Sequence, residues 1–273
     1  MKTFRALISY KGSGFHGVAE QVTEDGAQSI RTVIGELRAV IEMVTQAVPS
    51  IAVSGRTDKG VHAREQVITF SFPDNPTIDL DCGRLMHVCN KRLSPEVVVH
   101  EIGEAPKDFH ARFSAKARTY RYFIDNSARA NFFLADYAWN VSAPLDLDAM
   151  KCAAKCFVGE QDFSSVCRDD ESVPHNIREV FSADFIDVDY PEIFSLPTLQ
   201  GPALQKNELL CFEISANAFC WQMVRSIVGV LVDVGRGKVT PDGIPALLEK
   251  KDRQANNSQL APAQGLTLWQ VHY

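Results

Sequence analysis

The stretch Ser54 to Ala63, SGRTDKGVHA, sets one carboxylate, Asp58, between two bases, Arg56 and Lys59, with glycines at 55 and 60. A plain hairpin closes with Asn-Gly or Asp-Gly and has no need of flanking cations. Two readings fit these residue types. One is a solvated turn, polar because loops face water. The other is a catalytic carboxylate on a rigid strand end, held in a field suited to a polyanion.

Arg225 is the second candidate. Its surroundings, CWQMVRSIVGVLVDVG, are apolar on nearly every side of a helix, so the guanidinium points toward the interior or a cleft. A buried charge needs a counter-ion, and Asp58 on its glycine-flanked turn is the favoured partner. A narrow solvent stripe shared with Asp233 is the alternative.

The third candidate is KDFHARFSAKARTYR, where Lys107, Arg112, Lys116, Arg118 and Arg121 face a single acid, Asp108, and alternate with Phe109, Phe113 and Tyr120. Cations for phosphates and aromatics for bases are the ingredients of single-strand RNA binding. An amphipathic strand with a charged outer face fits the same pattern. With Arg56, Lys59 and Arg64 these bases would line one continuous cationic cleft. A carboxylate, an arginine that keeps it ionised and the hydroxyl of Tyr120 suit chemistry at a glycosidic carbon.

Other chemistries find less support. The glycines of YKGSGFHG lack the strand–turn–helix continuation of a dinucleotide site, and GRGK at 235–238 lacks phosphate-loop spacing, so both read as turns. Asp79 with Asp81, and Asp187 with Asp189, hint at magnesium-dependent phosphotransfer but read better as helix-start and loop acids. His87 between Cys82 and Cys89 falls short of a zinc spacing. His62 lies close to the turn, and a structural role satisfying backbone groups is preferred to that of general base.

The elements that must hold these groups follow from periodicity. Strands are expected at Phe4–Tyr10, Ser50–Ser54, Gln66–Phe72, Val97–Glu101, Lys116–Asp125, Asn176–Val188, Leu209–Ser215 and Thr267–Tyr273. Helices are expected at Ile30–Val44, Leu80–Leu93, Leu145–Phe157, Trp221–Val234 and Pro241–Lys251. Strands and helices mixed in each half predict two similar α+β layers, residues 1–105 and 106–273, joined near Ala105 and Pro106. Pro191–Asn207 reads as an irregular loop or protrusion.

The chain's 273 residues and 45% hydrophobic content suffice for a real core. No apolar run is long enough for a signal peptide or a membrane span, which predicts a soluble, cytosolic protein. Seven cysteines follow no disulfide framework and read as reduced core residues, with Cys152 and Cys156 on one packing face of a helix. The net charge of −6 argues against nucleic-acid binding through overall charge and leaves room for a local basic surface.

SGRTDKGVHA, DFHARFSAKARTYRYFI, FEISANAFCWQMVRSIVG and QGLTLWQVHY, in this order, resemble the tRNA pseudouridine synthase A family over almost the whole chain. The resemblance implies the pseudouridine synthase fold, in which two halves share a central, mainly antiparallel sheet with helices packed on it and a cleft between. It makes Asp58 the essential aspartate, Tyr120 the active-site tyrosine, Arg225 the partner of the aspartate and Arg56 the residue that takes the place of a flipped base. It implies a homodimer that isomerises uridine to pseudouridine at positions 38 to 40 of the tRNA anticodon stem-loop, without cofactor or metal. The sequence departs from the family pattern at Lys11 and across Gly17–Gln21, a loop that borders the RNA path. A non-catalytic RNA-binding protein of the same fold and a metal-dependent phosphotransferase are the competing readings.

Overall fold

The computed structural model describes residues 2–22, 29–168, 174–188, 197–198, 201–202 and 208–273. Along the chain run β1 (Thr3–Tyr10), the short strands β2 (Gln21–Val22) and β3 (Ser29–Ile30), α1 (Val33–Thr45), β4 (Ser50–Val53), β5 (His62–Ser71), α2 (Cys82–Leu93) and β6 (Val97–Glu104). There follow β7 (Ala117–Asp125), β8 (Trp139–Asn140), α3 (Leu147–Lys155), β9 (Gly159–Asp162), β10 (Ile177–Ile186), the short strands β11 (Pro197–Thr198) and β12 (Gly201–Pro202), β13 (Leu209–Ala216), α4 (Met223–Gly235), α5 (Gly243–Glu249) and β14 (Leu266–His272). The fold is α+β and mainly antiparallel, as expected; the exceptions among the described pairings are β14 with β5 and β8 with β7.

The chain forms two compact units, Met1–Lys116 with Thr267–Tyr273, and Ala117–Leu266. Residues 106–116 stay with the first unit, where Ala111 N donates to Thr69 Oγ1 (3.4 Å) and Lys116 N to His272 O (2.8 Å).

In the first unit β1 lies between β6 and β5, and β4 and β14 share the other edge of β5. Phe4 sits directly across from Phe70 with stacked rings 5.5 Å apart, a cross-strand pair that fixes the register of the core face. Helix α1 starts where Thr32 accepts from Gly35 N, and buries Val33, Ile34, Leu37, Val40 and Ile41 at helical spacing. Helix α2 starts at Asp81, whose carboxylate accepts from Arg84 N, and ends near Lys91 and Arg92, so both charge signs suit the helix dipole. Asp81 is thus the helix-start acid that the sequence suggested. β5 begins at His62, ahead of the expected Gln66, because His62 and Ala63 pair with Thr267 and Leu268 of the last strand.

In the second unit the order is β7, β13, β10, β9, all antiparallel, with β8 beside β7. Helix α4 is buried almost all round and packs on α3, whose buried residues are Met150, Ala153 and Ala154. Cys152 is exposed, which corrects its assignment to a packing face; the small alanines let α3 approach its neighbours instead. Cys89, Cys167 and Cys211 are buried as expected, and burial pushes the Cys211 thiol up to about 12. Asp189 and most of the irregular stretch 191–207 lie outside the described residues.

Candidate active site

Asp58 lies in the turn between β4 and β5, half-buried, with Arg56 and Lys59 exposed on either side. The turn is closed by Val61 N donating to Asp58 O (3.1 Å), and Gly60 takes φ +83°, a left-handed value that suits glycine. Beneath it runs a buried polar network. Gln66 of β5 uses both ends of its amide: Nε2 donates to Gly55 O (2.8 Å) and to the Tyr10 hydroxyl (3.3 Å), while Oε1 accepts from Ser54 Oγ and from Gly55 N (3.4 Å). The Tyr10 hydroxyl shares a 2.7 Å hydrogen bond with Thr57 Oγ1. Burial pushes the Tyr10 phenol up to about 12, against the pull of the Thr57 and Gln66 hydrogen bonds. Ser54, Gly55 and Thr57, the residues leading into Asp58, are therefore tied to Gln66 of β5 and Tyr10 of β1.

A second support was not legible in the sequence. The loop that follows β1 packs against the turn through its backbone: Val18 N donates to Thr57 O (3.2 Å) and Gly60 N to Phe15 O (3.4 Å). A Cβ on Gly12 would stand 2.0 Å from Val61 O, and one on Gly17 2.8 Å from Thr57 O. The glycines of YKGSGFHG are a turn, as expected, and their smallness is what lets two backbones meet. His62 is buried and its Nδ1 accepts from Gly12 N (3.0 Å), the structural role expected for it. The departures at Lys11 and Gly17–Gln21 fall in this loop, where Val18 is wholly buried and Glu20 pairs with Arg38 (2.7 Å).

The remaining basic residues of the first unit lie apart in the chain. Arg64 is exposed on β5, 2.7 Å from Glu65 and over the ring of Trp269 at 4.8 Å. Lys107, Arg112 and Lys116 are exposed on the loop between β6 and the end of the unit.

In the second unit Tyr120 and Arg118 stand on β7. Tyr120 is buried, opposite Ile214, with Phe219 edge-on at 5.0 Å. The Arg118 guanidinium donates to Asn217 O (2.9 Å), just past the end of β13, and Arg121 pairs with Glu213 of β13 (2.7 Å). Arg225 is half-buried on α4, and Asp233, its alternative partner by helical spacing, is taken by Lys238 at 3.2 Å.

What holds Arg225 is a strap, residues 259–265, against α4. Arg225 Nε donates to Ala261 O (2.7 Å) and Ala261 N returns a bond to Arg225 O (3.2 Å). Tyr122 donates to Pro262 O (2.8 Å), and burial raises its phenol pKa despite the nearby charge of Arg225. Gly229 and Gly265 make this docking possible, since a Cβ on the first would meet Gln259 O at 1.9 Å and on the second the Tyr122 ring at 2.5 Å.

The second unit also holds a buried acid that the sequence did not single out. Asp125 accepts from Ser127 N and Oγ, from Asn131 N and from Asn140 Nδ2, four donors that shape the following loop. Among the described residues no cluster of three His, Cys, Asp or Glu side chains is arranged to hold a metal ion, and no helix is long and apolar enough to cross a membrane.

Known proteins are similar to this chain in sequence. The family model described as tRNA pseudouridine synthase matches residues 153–273, which points to the pseudouridine synthase class. Proteins named tRNA pseudouridine synthase A are similar over its whole length: 37% identical in Brevibacillus brevis and 34% in Listeria monocytogenes, each covered completely. Another, from Bacillus subtilis, is 33% identical over 98% of both chains. The chain belongs to the tRNA pseudouridine synthase A family.

Proposed function

We propose that this chain isomerises uridine to pseudouridine at positions 38 to 40 of the tRNA anticodon stem-loop, as a cytoplasmic homodimer that needs neither cofactor nor metal. Residues 1–105 supply the aspartate, and residues 106–273 the tyrosine and the arginine. The observation that carries this reading is the Asp58 turn, braced from below by Gln66, Tyr10 and Thr57 and from the side by the glycine loop, in a chain similar along its full length to tRNA pseudouridine synthases.

A base within a stem must first leave its stack, at a cost of a few kcal/mol. Arg56, exposed beside the aspartate, fills the space it leaves. Asp58 then acts at the sugar, either bonding the anomeric carbon or taking a neighbouring sugar proton, while Arg225 keeps the carboxylate ionised. The N1–C1′ bond breaks, the uracil turns against Tyr120, and C5 bonds to C1′ as the aspartyl bond to that carbon breaks or the sugar proton is returned by Asp58. C5 gives up its hydrogen and N1 gains one, so the mass is unchanged. Lys59, Arg64, Lys107, Arg112, Lys116 and Arg118 hold the phosphates. An isomerisation needs no electron donor or hydrolytic metal. A tRNA transcript carrying tritium at uracil C5 tests this directly: label is released catalytically in excess chelator, at constant RNA mass. Binding without release would reduce the chain to an RNA-binding protein, and loss of release on chelation would overturn the metal-free mechanism.

A further inference from the structure

Of the three aromatics interleaved with bases between 107 and 121, two pack against other rings. Phe109 packs against Tyr273 (4.8 Å between rings) and Tyr120 against Phe219. Phe113 stands 78% exposed, the largest exposure among the big apolar side chains described.

This exposure belongs to a braced loop. His110 N donates to Ser114 Oγ (3.0 Å) and Ser114 N to His110 O (2.9 Å). The imidazole Nδ1 of His110 accepts from Arg112 N (3.1 Å) and Phe113 N (3.4 Å), and its ring lies 4.5 Å from that of Phe113, tilted by 35°. Tyr273 donates to Ala111 O (2.8 Å). Lys107, Arg112 and Lys116 are exposed along the same loop, against the single acid Asp108. A water-exposed phenyl ring, with an imidazole 4.5 Å away, the Arg112 guanidinium 5.8 Å from its centroid and two lysines exposed on the same loop, has the chemistry of a stacking platform for a base whose phosphates are held beside it.

We infer that the outer face of Phe113 stacks on a nucleobase of the tRNA substrate, away from the reacting uridine, and that Arg112 holds an adjoining phosphate. The inference rests on the RNA-modifying reading above. It makes Phe113 a positioning residue whose contribution is independent of salt, in contrast to its cationic neighbours.

Tritium release and filter binding of a tRNA transcript, run across a salt series, test it. Phe113→Leu should raise KM and Kd about tenfold with kcat little changed, the scale of one lost stacked base. The slope of log Kd against log salt should stay that of the parent, whereas Arg112→Gln should flatten it by about one. Phe113→Trp should restore affinity to within about twofold, and its added indole fluorescence should be quenched on tRNA binding. Parental affinity in Phe113→Leu would overturn the inference, as would equal loss in Leu and Trp variants. So would a shift in sedimentation of Phe113→Leu without RNA, which would assign the ring to a second copy of the chain. A parent chain that neither binds tRNA nor releases label would overturn the functional reading and this inference with it; unchanged variants of an active parent overturn the inference alone.

Discussion

The two units immobilise their candidate catalytic groups by different means. In the first, the Asp58 turn adds to the backbone contacts of the glycine loop a set of side-chain hydrogen bonds buried beneath it, from Gln66, Tyr10, Thr57 and Ser54. In the second, Arg225 donates to the Ala261 carbonyl of a strap that lies against α4 and Tyr122 only because Gly229 and Gly265 carry no Cβ. A polar network fixes geometry through direction, since each donor must aim at its acceptor. Close backbone packing fixes it through volume, since no side chain can intervene. The first should fail by loosening locally, and the second by pushing elements apart.

The largest effect should come from a change that touches neither support. Asp58→Asn keeps the turn and removes the charge, so turnover should fall by roughly 10²–10⁴-fold while tRNA affinity and melting temperature hold. Activity within about tenfold of the parent would remove Asp58 from the chemistry. Gly229→Ala drives a methyl into Gln259 O and should lower stability by about 3 kcal/mol in urea titrations, carrying activity down with it through Arg225. Parental stability there would mean that the strap yields freely, and the contrast between the units would collapse. Gln66→Leu removes the amide that accepts from Ser54 Oγ and donates to Gly55 O, and should cost about 2 kcal/mol. Its kcat should fall further than the stability loss explains at temperatures where the chain is fully folded.

The smallest effect is a dependence on pH. Tyr10 holds its proton to about pH 12 when folded, against an ordinary 10.0. Between these values the unfolded chain has lost a proton that the folded chain retains, so stability declines as pH rises through that window. Urea midpoints from pH 9 to 12 should fall less steeply in Tyr10→Phe than in the parent. Equal slopes would show that the phenol is not sealed beneath the turn.

What was legible in the sequence was whatever depended on residue type. Periodicity gave the major helices and strands to within a few residues, because apolar side chains mark the faces of α1, α4 and β7. Asp58, Arg225 and the aromatic-basic segment stood out because their chemistry is carried by side chains. The supports were hidden for two reasons: Gln66, Tyr10, Ser54 and Thr57 are ordinary polar residues whose meeting no local pattern announces, and the rest of the holding is done by the backbone. Carbonyls of Phe15, Thr57 and Ala261 do the holding, and a backbone acceptor looks the same in every residue. Asp125 escaped notice because a lone acid at the end of a strand gives no sign that four donors will fold over it. The two-residue strand β8 is too short for any period.

The parallel pairing of β14 with the start of β5 has a consequence in time. Ala63 and Thr267 are separated by about 200 residues, which at cellular synthesis rates take roughly 10–40 s to make. During that interval β4 covers the far end of β5, and the near end, next to the aspartate turn, presents an open edge. The nascent chain thus carries its Asp58 turn beside an unfinished sheet until β14 has been made. The second unit, by contrast, is one uninterrupted stretch and can close before the first is complete.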